Sequence, residues 1–414
     1  MTLAMNSIDV KLEPSERVPR EWTVRFGLLW FGFWMANLGP VQLVLPNQFD
    51  ALDHAHKVRD FGIVSGATGL AALVTLPLFG ALCDRTRSRF GRRRVWMLSG
   101  TVVFAVGLFA TGVQSTWIGV GIAWLVATLG INMATAGLTA AIADEVPDEQ
   151  RGAISSAIYG PQAVGVLVGV AILTLLNNNG VWAYSFLAVA LVVCAAPFTL
   201  RYRDVTAQHV PALSVRSVLE GLWIDPRENP DFAWAFAGRL AVNLGNALGT
   251  TYLLYFLQDD LKLHDPNAGL LVLTLIYLVF TLTATILGGA RSDRSGKRRP
   301  YVAVAAVLQA IASLMLTAFP HFGVAMVAAA FLGAGYGAYM SVDQALVTAV
   351  LPDAESRAKD LGIMNVGSVG PQALAPLIAS MVIGTLGGYP VLFGTSGVVT
   401  VLGALMVYRI KSVR

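Results

Sequence analysis

The stretch GALCDRTRSRFGRRR, residues 80–94, lies between two apolar segments and has a shorter counterpart, GARSDRSGKRR, at residues 289–299. Its last eleven residues hold six arginines and one aspartate, in a chain of which only 13% of residues are charged. Such a basic loop could bind nucleic acid, anchor a protein at a membrane surface or connect two membrane spans. The composition of the flanking sequence decides among these.

The flanking sequence is far more apolar than that of a soluble protein. Of 414 residues, 55% are hydrophobic, and the mean hydropathy is +0.63. Soluble domains carry roughly 25% charged residues, about twice the fraction found in this chain. Eight long windows contain no Asp, Glu, Lys or Arg: 26–49, 61–83, 95–143, 152–200, 240–258, 266–290, 300–342 and 361–408. A spanning helix needs about 20 apolar residues, so short windows predict one helix and windows of 43 to 49 residues predict two.

Turn residues lie near the middle of each long window. They are Gln114-Ser115, Asn177 to Gly180, Pro320-His321 and Gly387-Gly388. The windows therefore hold one, one, two and two helices, and this order occurs twice. The sequence predicts an all-α membrane protein with twelve transmembrane helices. A transmembrane barrel is disfavoured, because its strands give short alternating segments and not continuous apolar runs.

The basic residues set the predicted orientation. An even number of spans puts both termini on one side, and 26 of the 29 Lys and Arg residues fall on that side. The other side holds only Lys57, Arg59 and Lys262. The positive-inside rule then predicts a protein of the plasma (inner) membrane with both termini cytoplasmic. Topology alone accounts for a basic cytoplasmic loop, so no nucleic-acid partner is predicted.

Four motifs recur in order along the chain. Gly80 to Arg85 returns as Gly289 to Arg294, Asn37 as Asn243, Pro147 as Pro352 and Gly160 to Ala163 as Gly370 to Ala373, at offsets of 205 to 210. This repetition predicts two pseudo-symmetric six-helix halves, 25–201 and 231–409, joined by a cytoplasmic linker, 202–230. The cytoplasmic tails are 1–24 and 410–414. Parallel halves related by an axis along the membrane normal occur in secondary transporters.

Over essentially the whole chain from about residue 25, these features resemble the major facilitator superfamily. The family's loop signature, G-x-x-x-D-R-x-G-R-R, is matched in the second half by Gly289, Asp293, Arg294, Gly296, Lys297 and Arg298. The first half has four extra residues between Arg85 and Gly91. This longer form, with stretches 335–353 and 358–376, resembles the sucrose-transporter and glycoside–pentoside–hexuronide branches. The resemblance implies the major facilitator fold.

The resemblance also implies a gate at the basic loop. Gly80 would let helix 11 approach closely, and Asp84 would meet its own loop's arginines or the N-terminus of that helix. This contact would hold the cytoplasmic side closed. The arginines could also meet Asp144 and the acids that follow it, or could only set topology and touch anionic lipid, at ~1 kcal/mol each. The candidate gating residues are Gly80, Asp84, Arg85, Gly91, Arg92, Arg93, Gly289, Asp293, Arg294 and Asp144.

Asp343 is the only acidic residue well inside a predicted span: it directly follows the charge-free window 300–342 and lies eight residues before Leu351. Inserting an acid at the centre of a span costs about 2.5–3.5 kcal/mol, so Asp343 is expected to face a cavity or a partner. We predict that it takes up and releases a proton; the alternative is a hydrogen bond that fixes helix 10 to a neighbour. Arg239, about two turns into helix 7, is the second candidate for proton coupling. It could pair with Asp343 or extend to the cytoplasmic surface.

Uncharged polar residues occur on helices that line a central cavity by analogy with the family. We predict these as substrate-binding residues: Asn37, Gln42, Asn132, Gln162, Asn243, Asn246, Tyr336, Asn365 and Gln372. Amides both donate and accept hydrogen bonds, which suits a hydroxylated ligand. The alternative for each residue is a hydrogen bond between helices, worth ~0.6 kcal/mol on average.

These features favour a secondary active transporter, with proton-coupled symport of a sugar or glycoside-like solute as the first prediction. The alternatives are a proton-driven exporter of a drug or metabolite and a membrane receptor without transport. Neither His-Glu-x-x-His nor Gly-x-Ser-x-Gly occurs, so an enzyme is not predicted. No cofactor or metal is expected. The expected partners are a small-molecule substrate, protons and membrane lipid, and the protein is expected to be a monomer.

Overall fold

A computed structural model describes residues 17–147, 150–176, 180–202, 204, 227–295, 299–350 and 357–410. Every regular element within these residues is helical, which confirms the predicted all-α class. The helices are α1 (Arg20–Leu52), α2 (Lys57–Arg85), α3 (Arg92–Gly112), α4 (Trp117–Glu145), α5 (Arg151–Leu175), α6 (Gly180–Thr199), α7 (Pro230–Thr251), α8 (Pro266–Ser295), α9 (Arg299–Ala318), α10 (Phe322–Ala349), α11 (Arg357–Val382) and α12 (Gly388–Tyr408). A π-helical turn, Pro40–Val44, interrupts α1, and another, Phe256–Asp260, follows α7.

Eleven helical segments among the described residues are long and apolar enough to cross a membrane. The last of them, Val366–Tyr408, has 43 residues and contains Gly387 and Gly388, whose φ angles are 124° and 78°. Glycine adopts positive φ without steric cost, so the chain can turn sharply at this point.

Contacts with α7 show that the chain reverses direction between α11 and α12. The Tyr252 hydroxyl, just beyond the end of α7, donates to the Pro376 carbonyl late in α11, so these two helices run parallel. Gly238, early in α7, lies against Val407 at the end of α12, so this pair is antiparallel. Helices α11 and α12 therefore run in opposite directions.

The packing repeats along the chain. Helix α1 packs on α5 and α6, α2 on α4, and α3 on α4 and α6. The same scheme recurs six helices later: α7 packs on α11 and α12, α8 on α10, and α9 on α10 and α12. We call α1–α6 the N-half and α7–α12 the C-half. They meet mainly through α2 with α11 and through α5 with α8, two pairs related by the same shift.

Two glycines that the sequence analysis did not single out occupy equivalent places in this scheme. A Cβ on Gly32 in α1 would lie 2.6 Å from the Cβ of Cys194 in α6. A Cβ on Gly238 in α7 would lie 2.8 Å from Cγ2 of Val407 in α12. Glycine permits this close approach of helix backbones in each half.

In the part of the chain that the structure describes, the two halves share an apolar core at one end of the bundle. We call the face that bears Arg20 and Tyr408 the terminal side, and the face that bears turns 53–56 and 261–265 the opposite side. Near the opposite side, the Phe61 ring from α2 lies 5.4 Å from the ring of Tyr252 and 5.8 Å from that of Tyr255. The halves are thus packed together on that side.

Candidate functional site

A buried ion pair joins α7 to α10 in the C-half. Arg239 lies nine residues after the start of α7 and Asp343 six residues before the end of α10, about 13 Å and 9 Å along the helices. Arg239 Nη2 is 3.1 Å from Asp343 Oδ2, and the two side chains are 5% and 3% exposed. Of the two alternatives for Arg239, the structure shows the pairing with Asp343. This pairing also compensates the charge of the buried Asp343 carboxylate.

Polar groups from both helices surround the pair. Asn243, one turn after Arg239, donates from Nδ2 to the Arg239 carbonyl at 2.8 Å. The Tyr336 hydroxyl donates to Asn243 Oδ1 at 3.2 Å, and the Tyr339 hydroxyl hydrogen-bonds the Asp343 carboxylate. Arg239 Nε is buried and has no hydrogen-bond partner among the described residues. The pair therefore belongs to a polar network inside an apolar bundle, and one of its donors is unused.

The energetics of this arrangement depend on whether the pair stays intact. Removing one member of a buried pair is strongly destabilising, at about 3–5 kcal/mol, because it leaves the other charge without compensation. An intact pair in the same place is close to neutral. Any event that neutralises Asp343 therefore changes the contacts that Arg239 must make.

Two other predicted lining residues form hydrogen bonds between helices. Asn132 in α4 donates from Nδ2 to Thr75 Oγ1 in α2 at 2.8 Å, and Asn246 Oδ1 in α7 accepts from the Tyr277 hydroxyl in α8 at 3.3 Å. These contacts match the alternative weighed from the sequence. Their partners belong to the same half in each case, so both bonds hold a half together.

The remaining lining candidates have few described contacts. Asn37, Gln42 and Gln162 are half-buried and Gln372 is exposed. The side chain of Asn365 lies outside the described residues. Among the predicted substrate-binding residues, the described contacts thus link Asn243 and Tyr336 to the ion pair.

On the terminal side, the basic loop binds acids of its own half. Arg93 Nη1 lies 2.5 Å from Asp84 Oδ1, and Arg93 Nε lies 2.9 Å from Asp144 Oδ2. Arg92 Nη2 is 3.0 Å from the same Asp144 oxygen. Arg93 is buried although it lies in the first turn of α3, directly after the loop. The expected contact of the arginines with Asp144 is present, and it ties α2, α3 and α4 together.

The same loop also joins α3 to the end of α6. Arg94 donates from Nε to the Thr199 carbonyl at 3.1 Å and from Nη2 to the Leu200 carbonyl at 2.8 Å. The Asp204 carboxylate accepts from the backbone N–H groups of Arg93 and Arg94. These bonds satisfy backbone groups that helix ends leave unpaired. Gly91, with φ of 98°, makes the turn into α3.

The other gating candidates make little contact in this structure. No described residue lies within 4 Å of the position that a Cβ on Gly80 would occupy. Arg85 is half-buried, and Arg294 is exposed. The side chain of Asp293 and the surroundings of Gly289 lie outside the described part of the chain. Among the described residues, no contact of Gly80 or Asp84 with α11 is present, and the predicted gate remains a prediction.

The opposite side holds a charged cluster that the sequence analysis used only for topology. Lys57, at the start of α2, is 3% exposed. Its Nζ lies 2.6 Å from Asp259 Oδ1 in the C-half and 2.9 Å from Asp50 Oδ1 in the N-half. It also donates to Gln258 Oε1 at 3.3 Å, and the Tyr389 hydroxyl donates to Asp259 Oδ2 at 2.6 Å.

Further hydrogen bonds between the halves surround Lys57. Asn47 donates from Nδ2 to Asn267 Oδ1 at 3.0 Å, and Gln258 donates from Nε2 to Asn47 Oδ1 at 2.9 Å. The Tyr255 hydroxyl donates to the Pro46 carbonyl at 2.9 Å, and the Tyr252 hydroxyl oxygen lies 3.1 Å from the Val58 carbonyl, a second acceptor for its one proton. The hydrogen bonds and ion pairs that the structure places between the halves lie on this side. We call them the opposite-side contacts.

Two repeated six-helix halves are an arrangement found in secondary transporters. The sequence matches the Major Facilitator Superfamily over residues 26–271 and 245–414, and the chain belongs to this family. The protein is an integral membrane protein, and its family implies transport of a small molecule. No match is found among curated proteins.

Solved transporters share the fold. The nucleoside transporter NupG has a TM-score of 0.71 at 13% identity, covering 95% of this chain and 99% of that chain. A variant of the same transporter has a TM-score of 0.72 at 14% identity, covering 94% and 99%. A variant of the peptide transporter POT has a TM-score of 0.73 at 12% identity, covering 94% and 93%. At these identities the likeness establishes the fold and leaves the substrate open.

Proposed function

We propose that this protein is a secondary active transporter that carries a sugar or glycoside-like solute by alternating access, in symport with protons. It would cross the plasma (inner) membrane twelve times as a monomer, with both termini cytoplasmic and with lipid around it. Its halves would be 25–201 and 231–409. The observation that carries the proposal is the buried Arg239–Asp343 pair with its polar neighbours.

The ion pair can couple protonation of Asp343 to the packing of α7 against α10. Paired, the two side chains are neutral as a unit. A proton on Asp343 removes that compensation and leaves Arg239 as a buried charge, which is costly away from water. The guanidinium then gains free energy by moving toward water or another acceptor, and α7 moves with it. Proton uptake therefore favours a different packing of α7 against α10.

The same helices offer a means of sensing the solute. Asn243 lies four residues after Arg239 in α7, Tyr336 lies seven residues before Asp343 in α10, and the two are hydrogen-bonded to each other. A solute hydroxyl that replaces either partner changes the bond from Asn243 to the Arg239 carbonyl. Asn37, Gln42, Asn132, Gln162, Asn246, Asn365 and Gln372 are proposed to complete the lining. The fold likeness to a nucleoside transporter adds nucleosides, which are N-glycosides, to the solutes worth testing.

The gating proposal concerns the terminal side. The opposite-side contacts are formed in this structure, while Gly80 has no described neighbour from α11. We take this as the state open toward the terminal side. In the other state, Gly80, Asp84 and Arg85 would close against α11, with Arg92, Arg93 and Asp144 holding the loop at Gly91. Gly289, Asp293 and Arg294 would act equivalently in the C-half.

The test is transport in proteoliposomes under an imposed pH gradient with a panel of sugars, glycosides and nucleosides. Uptake of one solute with proton influx is expected. Asp343→Asn should lose proton-driven accumulation yet keep exchange of labelled for unlabelled solute, because its neutral side chain resembles the protonated acid. The matched control is Asp53→Asn, an acid on the exposed opposite-side turn, which should accumulate solute normally.

Other outcomes would replace the proposal. Unchanged proton influx in Asp343→Asn would remove this residue from coupling. Drug-stimulated proton efflux without any sugar response would indicate an exporter. If no solute moved under any gradient, a receptor without transport would be favoured.

A further inference from the structure

Lys57 faces two carboxylates with one ammonium group. Asp50, at 2.9 Å, belongs to its own half, whereas Asp259, at 2.6 Å, belongs to the other. The Lys57 side chain is 4% exposed, and those of Asp50 and Asp259 are 28% and 29% exposed. The ammonium also lies 4.9 Å above the centre of the Tyr255 ring, again in the C-half.

We propose that Lys57 is a positioning residue that moves between these two carboxylates during transport. It binds both when the opposite side is closed, and it keeps only Asp50 when that side opens. The proposal rests on the alternating access proposed above. It assigns a role to residues outside the predicted gating and coupling sets.

The contacts within each half explain how the opposite side can open without leaving a bare charge. When the halves separate, Lys57 loses Asp259, Gln258 and the Tyr255 ring but retains Asp50. Asp259 loses Lys57 but retains the Tyr389 hydroxyl of its own half. A single buried pair without such substitutes would leave both charges uncompensated on opening, which is strongly unfavourable. The second partners make closure reversible.

Competition for one ammonium predicts opposite effects for the two acids. Asp259→Asn weakens only the closed arrangement and therefore favours opening. Asp50→Asn destabilises the open arrangement more than the closed one, because Lys57 has no carboxylate partner left in the open arrangement. This variant therefore favours closure. Loss of a merely structural ion pair would shift both variants in the same direction.

The experiment measures opening directly, without solute or protons. Ser380→Cys, which faces Gly62 across the α2–α11 contact, is introduced after Cys83→Ala and Cys194→Ala. Its labelling by a membrane-impermeant maleimide is timed from the side of turn 53–56. Asp259→Asn and Lys57→Met should label at least about fivefold faster and Asp50→Asn at least about fivefold slower than the parent.

Two further variants keep the test decisive. Asp53→Asn, an acid on the same turn bound to His56, should label at the parent rate. The double variant Lys57→Asp with Asp259→Lys keeps a pair between the halves and loses the pairing with Asp50, so it should label more slowly than the parent. Equal shifts in both single Asp variants, or no shift in any, would overturn the proposal. Labelling needs no solute, so a negative labelling result would overturn the role of Lys57 without contradicting the proposed transport. Conversely, the labelling rates can be interpreted even if no transported solute is found.

Discussion

Among single residues outside the spans, Glu145 on the terminal side has a carboxyl group whose protonation is coupled to folding. Its Oε2 accepts from Trp22 Nε1 at 2.8 Å, and the Tyr202 hydroxyl also hydrogen-bonds it. Burial raises the pKa of the Glu145 carboxyl above its ordinary value. The folded protein therefore holds this proton more tightly than the unfolded chain does. That contribution to stability is complete below the unfolded pKa and is lost as pH rises through the folded pKa.

Replacing this acid should remove part of the pH dependence of unfolding. Glu145→Gln keeps an oxygen that can accept from Trp22 and has no charge to desolvate. Between about pH 4 and about pH 8, the melting temperature of the wild type in detergent should fall relative to that of the variant. Glu21→Gln, at an exposed acid of α1, should follow the wild type. Parallel curves for wild type and Glu145→Gln would contradict the assignment.

The sequence reveals some site residues and hides others for a physical reason. Asp343 is recognisable because an acid well inside a predicted membrane span is costly. Arg239 could only be assigned two alternatives, since a long side chain near a helix end can reach water. Lys57 lies at a window boundary where a charge is ordinary, and its partner Asp259 is 202 positions away. Only tertiary packing brings that pair together.

At the scale of elements, α2 packs closely on α11 at one end, whereas Gly80 near its other end has no described neighbour. A Cβ on Gly62 would lie 2.5 Å from Ser380 Cβ, and one on Gly69 would lie 2.6 Å from Ala373 Cα. A side chain on Gly66 would overlap Leu377. At Gly80, five turns after Gly62, no described neighbour is within 4 Å. Among the described residues, the helix thus contacts α11 closely on the opposite side, from Gly62 to Gly69, and has no such contact at Gly80.

This asymmetry separates two glycine substitutions. Gly69→Val should destabilise the protein by about 1–3 kcal/mol through overpacking against the α11 backbone. Gly80→Val should leave the melting temperature unchanged and slow solute turnover, because the state closed on the terminal side would need the space that Gly80 leaves. Thermal unfolding and transport rates test both. Full turnover in Gly80→Val would count against the gating proposal.

Hydropathy predicts where the helices lie, but it does not predict where their backbone hydrogen bonding departs from the α-helical pattern. The charge-free windows locate the described helices, and the turn predicted at Gly387-Gly388 is where α11 and α12 meet. The π-helical turns Pro40–Val44 and Phe256–Asp260 were not predicted. Window composition reports which residues prefer lipid, whereas a π-turn is a shift in backbone hydrogen bonding that leaves composition unchanged.

At the scale of the molecule, the hydrogen bonds and ion pairs that join the halves among the described residues lie on the opposite side. The opposite-side contacts include the pair of amides Asn47 and Asn267, which meet at 3.0 Å from different halves. If transport requires these contacts to break and reform, a covalent bridge at this point should stop it. A bridge within one half should not.

Cross-linking tests this requirement. In the background lacking Cys83 and Cys194, Asn47→Cys with Asn267→Cys is treated with a short bis-methanethiosulfonate, which forms a reducible disulfide to each cysteine and releases methanesulfinate. Solute turnover should fall at least about tenfold and return on reduction. Each single-cysteine variant is the control and should keep its rate. Undiminished turnover in the bridged protein would show that the halves need not separate there.

The pairing of Arg239 with Asp343 has an electrical consequence. With both side chains ionised, the site has no net charge, and the membrane voltage does no work on it when the halves move. Once Asp343 is protonated, as proposed, the site carries one positive charge, on which the field does up to about 2.3 kcal/mol of work per 100 mV. Voltage would therefore drive the loaded protein in one direction and leave the return of the empty protein unaffected. The ion pair would act as a rectifier.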